Sequence, residues 1–175
     1  MSSEFPVKEN QSMKVDSRAG KYLTFFLVHE EYGVEILKVQ EIIEWMPITP
    51  VPMTSKYILG VINLRGKIHP VMDLKVKFGM EQTQITEETC IIVIKTKDRM
   101  MGIMVDKVSE VVDVASDDIE DTPSFGADVN PEFLLGVGKT GGRVRLLLDI
   151  EKVLTSVDVV NMKKAAAAAD KEAQN

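Results

Sequence analysis

Any chemistry this chain performs must come from a short list of residues. Two histidines, His29 and His69, and one cysteine, Cys90, are the only imidazoles and thiol in 175 residues. The His-x-x-x-His, Cys-x-x-Cys and Gly-x-Ser-x-Gly spacings are absent, as is the Gly-x-x-x-x-Gly-Lys-Ser/Thr phosphate loop. Scattered acids such as Glu41, Asp73 and Asp106 could move protons, but no nucleophile is spaced to work with them. The expectation is a non-catalytic protein with no metal and no cofactor. His29 sits before Glu30-Glu31 at an expected turn, and His69 beside Pro70 reads as an ordinary edge-strand residue.

Charge and composition narrow the partners. A formal net charge of −6 argues against a nucleic-acid binder, which would carry a basic stripe. Nothing in the sequence calls for direct membrane insertion: no stretch approaches 18 continuous apolar residues, and Met1–Phe5 lacks the basic start of a signal peptide. A single cysteine fits a reducing, cytoplasmic location.

Short strands must position whatever acts. Tyr22–Val28, Cys90–Ile94, Met100–Val105 and Val144–Leu148 are brief apolar runs separated by turn residues, the pattern of small barrels or a sandwich. Two short helices are expected after Asp73 and Asp149, the first ending at Gly79. Residues 1–17 read as a mobile polar tail, 18–162 as the folded body, and 163–175 as an alanine-rich tail, with a helix starting near Ser156.

The body repeats itself. Tyr57–Phe78 laid over Phe133–Leu154 superposes Gly60, Val61, Gly66 and Asp73 on Gly136, Val137, Gly142 and Asp149. Gly33–Ile43 laid over Gly102–Val112 superposes Gly33, Lys38, Val39 and Glu41 on Gly102, Lys107, Val108 and Glu110. Two similar β units follow, about 21–80 and 88–155. The second has a longer acidic loop at 113–132, read as a solvated face. Gly66 supplies the positive φ of a hairpin, with Arg65 beside it at the turn. Pro70 cannot donate to a ladder and is expected on an edge or beside a bulge. Met100, Met101 and Met104 read as core filling, and Trp45 as packing at a barrel edge.

Val39-Gln40-Glu41-Ile42, the run Gly60 to Leu74, Gly102 to Val111 and Leu146 to Leu154 occur in that order. Together they resemble the CheW family, the coupling proteins of bacterial chemotaxis, over about Lys21 to Val159. The one departure is the proline-heavy Pro47-Ile48-Thr49-Pro50. The resemblance implies an all-β fold of two small five-stranded SH3-like barrels sharing a core. It implies an adaptor joining the cytoplasmic tips of chemoreceptors to the histidine kinase CheA, recruited to arrays at the inner face of the membrane. The kinase contact would lie on the first barrel and the receptor contact in an apolar groove between barrels. The second barrel would meet neighbouring array components.

The partner-binding residues so implied are Val34, Ile36, Val39, Glu41, Ile42, Gly60, Asn63, Arg65 and Gly66, with Glu41 and Arg65 as an ion pair. The apolar members are equally readable as plain core. Competing readings are a regulatory β module serving another histidine kinase outside chemotaxis, a small enzyme using scattered acids, and a purely structural module. One prediction follows from the tails: a chain trimmed to residues 18–162 should melt within a few degrees of the full chain, and a much lower midpoint would show that a tail packs on the body.

Overall fold

The computed structural model describes residues 16–97, 100–122 and 131–154. The N-terminal tail up to residue 15, the expected helix from Ser156, the alanine-rich tail and residues 123–130 of the acidic loop lie outside them. Eleven strands form two sheets. In chain order they are β1 (Gly20–Leu27), β2 (Glu30–Glu35), β3 (Val39–Glu44), β4 (Ile58–Leu64), β5 (Lys67–Asp73), β6 (Cys90–Lys95), β7 (Met100–Val105), β8 (Lys107–Val114), β9 (Ile119–Glu120), β10 (Leu134–Thr140) and β11 (Arg143–Leu148). Two four-residue helices, α1 (Leu74–Lys77) and α2 (Ile150–Val153), follow β5 and β11. Among the described residues no helix is long and apolar enough to cross a membrane.

Strand order is β3-β6-β7-β5-β4 in the first sheet and β8-β1-β2-β11-β10-β9 in the second. The two barrels are therefore not the two halves of the sequence. β6 and β7 cross into the first barrel, and β1 and β2 into the second. The exchange is sealed by two parallel pairings, β5 with β7 and β2 with β11. The second sheet also has one strand more than the five expected. The acidic loop supplies it: Ile119–Glu120 pairs with Gly138 and Val137 of β10.

Alternation explains the core. On β1, Leu23, Phe25 and Leu27 enter a large core shared by both barrels, while Tyr22 fills the interior of the second barrel with Val114, Ile119 and Leu147. On β7, Met101, Ile103 and Val105 face the shared core, and Met104 joins Ile62, Val71 and Ile91 inside the first barrel. Successive side chains point to opposite faces of a strand, so a strand buried on both faces needs an unbroken apolar run. That is why Ile91-Ile92-Val93-Ile94 lacks polar alternation. Met101 and Met104 are core, as their composition indicates.

The repeat is visible in three dimensions. The β4–β5 and β10–β11 hairpins carry register shifts at equivalent places, between Ile58 and Gly60 and between Leu134 and Gly136. The amides of Asp73 and Asp149 donate to the carbonyls of Tyr57 and Phe133, both at 2.8 Å. Both aspartates cap their helices, accepting from the amides of Lys75 and Lys152. Asp73 is also fully buried and accepts from the amide and hydroxyl of Thr83, each at 2.9 Å, which ties the connector between the halves to the first barrel.

Two expectations need correction, those for His69 and Asp16. The place of Pro70 agrees with expectation: it pairs only with Val61 of β4, beside the register shift between Ile58 and Gly60, and β7 joins β5 from Val71 onward. Pro70 is tolerated because it stands just before that two-sided stretch, and His69 is buried. Asp16, assigned to the tail, belongs to the body. Its carboxylate accepts from the Arg18 guanidinium at 2.6 Å, and its amide donates to the Ser116 hydroxyl at 3.2 Å. Those hydrogen bonds from Arg18 hold the Asp16 carboxyl down at about 2.

Closure of each barrel depends on a glycine. The segment after β3 bridges β4 through Thr49 and Val61. A Cβ on Gly60, at φ +143°, would lie 2.0 Å from the Thr49 carbonyl oxygen. Its equivalent Gly136 would meet the Glu120 carbonyl oxygen of β9 at 2.7 Å. These neighbours are backbone and cannot swing aside. Gly60→Ala should therefore cost the fold at least twice as much as Gly142→Ala, where the only penalty is a positive φ worth about 1–2 kcal/mol. Equal denaturation midpoints would refute this account of closure.

Candidate docking surface

The β4–β5 hairpin turns on Arg65 and Gly66, at φ +53° and +85°. Two central residues at positive φ are the signature of the tight turn that matches strand twist, and glycine or asparagine usually fills the first place. The second copy obeys that preference with Gly141 and Gly142, at φ +58° and +73°. An arginine in the left-handed region costs about 1 kcal/mol or more. The turn is held by Asn63, whose side-chain oxygen accepts from the Gly66 amide at 2.9 Å. The sequence placed the positive φ on Gly66 alone; the strain on Arg65 is legible only by comparison with Gly141.

Arg65 forks over Glu41 of β3. Its two terminal nitrogens donate to the two carboxylate oxygens at 2.8 and 2.7 Å. The arginine side chain is 76% exposed and the glutamate 25% exposed, so the pair presents its cationic side to solvent. Hydrogen bonds from Arg65 hold the Glu41 carboxyl below the usual carboxylate range, and Glu41 in turn raises the guanidinium. A depressed carboxyl keeps the pair intact at neutral pH and loses it only as pH falls through the lowered value. Beside the pair lies a cleft of about 160 Å³, lined also by Gln40, Leu64, Lys67, His69, Val93 and Met100.

The other predicted residues divide. Ile36 and Val39 are half-buried and pack against the shared core. Between them Leu37 is 92% exposed on a 3₁₀ turn, Ile36–Lys38. The same turn is tied to α2 by Lys38, whose ammonium lies 3.2 Å from Glu151. This is an apolar seam between barrels, and Leu37 is its most exposed member. Sequence reasoning missed Leu37, though an apolar residue between two strand patterns was the available signal. Ile42 is exposed on the outer face of β3. Two assignments fail. Val34 is 2% exposed in the shared core, and Gly60 is buried under the Thr49 backbone, so neither can meet a partner. They are fold residues.

The second barrel holds a rearranged copy of the site. Glu110 stands where Glu41 does, but its nearer cation, Arg145, comes from within the sheet, while Arg143 beside the hairpin turn lies 3.9 Å away. Arg145, with a side chain only 4% exposed, donates to Glu110 at 3.1 Å and lies 2.9 Å from Glu31, although its Nε–H is poorly directed at that carboxylate. It also donates to the Thr140 hydroxyl and carbonyl. One buried oxygen of Glu31, Oε1, has no hydrogen-bond partner among the described residues. Gly141 offers no side chain at the hairpin tip, so the adjoining cleft is wider, about 400 Å³.

Comparison with known proteins places this architecture. Residues 21–158 match the model of the CheW-like domain. The chain is 40% identical to a chemotaxis protein CheW of Klebsiella aerogenes over 146 residues, covering 83% of this chain and 88% of the relative. It is 37% identical to a chemotaxis protein CheW of Bacillus subtilis, covering 81% and 92%. The crystal structure of the scaffolding protein TtCheW from Thermoanaerobacter tengcongensis superposes with a TM-score of 0.73 at 31% identity, covering 80% of this chain and 95% of that one. With its two interlocked barrels and its ordered motifs, the chain belongs to the CheW family of chemotaxis scaffold proteins.

Proposed function

We propose that this chain is a non-catalytic adaptor that couples methyl-accepting chemoreceptors to the histidine kinase CheA. The observation that carries the reading is Arg65: a fork-shaped donor kept at a strained, exposed hairpin tip where the second copy uses glycine. Strain of that kind is retained where a side chain has work outside the fold. The kinase regulatory domain would meet the Glu41–Arg65 tip of the first barrel, with Asn63 and Gly66 shaping the tip and Ile42 beside it on β3. The receptor tip would dock along the seam at Ile36, Leu37 and Val39, where an apolar helix face can cover Leu37.

Holding both partners raises the kinase's effective concentration at receptors. Changing kinase activity requires more, namely unequal binding to its active and inactive states. Recruitment to arrays at the inner face of the membrane follows from the receptor contact and needs no membrane segment of its own.

The test uses purified kinase regulatory domain and a receptor cytoplasmic fragment. Arg65→Glu should weaken capture of the kinase domain roughly tenfold or more, by adding repulsion at a partner-facing rim, and leave the melting midpoint near that of the parent. Glu41→Arg with Arg65→Glu should recover part of the loss. Leu37→Asp should reduce receptor capture while sparing the kinase. A sharp fall in the Arg65→Glu midpoint would make Arg65 structural, and undiminished capture of the kinase domain by that variant would move its docking surface elsewhere.

A further inference from the structure

We propose that His69 is a proton-operated second cation in the cleft it lines with Glu41 and Arg65, which competes with Arg65 for the Glu41 carboxylate and so makes the charge and geometry of the hairpin tip depend on pH. The chain contains its own comparison for this. His69 and Arg145 occupy equivalent places, opposite Ile62 in the β4–β5 ladder and opposite Gly138 in the β10–β11 ladder. Glu41 and Glu110 are likewise equivalent, on β3 and β8. In the second barrel the side chain at this place reaches the glutamate, Arg145 to Glu110 at 3.1 Å. The geometry there shows that a cation at this strand position reaches the carboxylate on β8, a strand that is not its neighbour in the sheet. In the first barrel the same place holds a histidine, and both His69 and Glu41 line the 160 Å³ cleft.

The substitution changes what the site can do. An arginine is a permanent cation. A histidine acquires its charge near pH ~6.5 in the absence of neighbours. The charged groups that line the cleft with it are Glu41 from β3, Arg65 at the turn and Lys67 from β5, while Val93 of β6 and Met100 of β7 bring no charge. Lys95, the register partner of Met100, is the next cation along and lies outside the cleft lining. With His69 neutral, Glu41, Arg65 and Lys67 sum to one positive charge; with His69 protonated they sum to two. Protonation thus adds a second claimant on Glu41 and repels Arg65 and Lys67. The charge of His69 also favours the ionised form of Glu41, and the coupling is reciprocal. The competing cation is present below the His69 midpoint and absent above it.

An NMR titration of the full chain from about pH 5 to 8.5 decides the matter, following the His69 imidazole and the Arg65 Nε–Hε resonance. Only His29 shares the imidazole region. The Arg65 resonance should move with the His69 midpoint. In Glu41→Gln the His69 midpoint should fall by roughly half a pH unit or more, and in His69→Gln the Arg65 resonance should stay flat through that range. An unchanged His69 midpoint in Glu41→Gln overturns the proposal, as does an Arg65 titration in His69→Gln that matches the parent. If His69→Gln fails to fold, the Glu41→Gln arm still decides, because it keeps the native histidine. The consequence for assembly rests on the docking role given to Arg65 above. Capture of the kinase regulatory domain should change several-fold across the His69 midpoint in the parent and not in His69→Gln. A coupled Arg65 signal with pH-independent capture would uphold the coupling and remove the docking role instead.

Discussion

Each barrel closes by laying backbone across a residue that has no side chain, and the candidate docking surface is built on that closed frame. The Thr49 carbonyl lies where a Gly60 Cβ would be, and the Glu120 carbonyl crowds the same place on Gly136. Because Thr49 can sit on Val61, the segment after β3 is drawn over β4. Glu41, held on β3 by pairing with β6, meets Arg65, 24 residues away in the chain, through two short hydrogen bonds. A side chain at residue 60 would push the closing segment away.

The closed barrels are then locked together by exchange. Parallel pairing of β5 with β7 and of β2 with β11 means that neither half of the chain can complete a barrel alone. The shared core removes apolar faces of β1, β6 and β7 from water, and burial of such area is the main favourable contribution to folding. Ion pairs reinforce the junction. The Lys75 ammonium lies 3.1 Å from both oxygens of Asp106, which also accepts from the Val28 amide at 2.7 Å. This holds Val28 at φ +59°, an unusual conformation for a β-branched residue, and fixes the β1–β2 turn against the β7–β8 corner.

Repetition of one unit did not produce two equal surfaces. In the second copy the cation moved from the hairpin tip into the sheet, where Arg145 is buried between Glu110 and Glu31. A buried arrangement of this kind adds little net stability, because desolvation offsets the attraction, but it is costly to disrupt. In the first copy the arginine is exposed at the tip, and His69 lines the same cleft. One barrel therefore carries its arginine inside the sheet, beside a half-exposed Glu110, and the other carries its arginine at the hairpin tip.

Much of this was legible in the sequence by itself. The family motifs, the two offset repeats, the capped helices after Asp73 and Asp149 and the hairpin at Gly66 all depend on local conformational preference or on ordered residue patterns. Such signals survive without knowledge of neighbours in space. The misjudged residues share one cause. Val34, Gly60, His69 and Asp16 were misplaced because their environments are set by strands distant in the chain. Apolar Val34 looks the same whether a seam or a core covers it, and a β5 edge becomes an interior strand only when β7 arrives from the other half. The strand exchange, the two-residue strand that closes the second barrel, the exposure of Leu37 and the burial of His69 were decided by tertiary structure alone. Long-range pairing and close backbone approach have no sequence period, so residue spacing cannot report them.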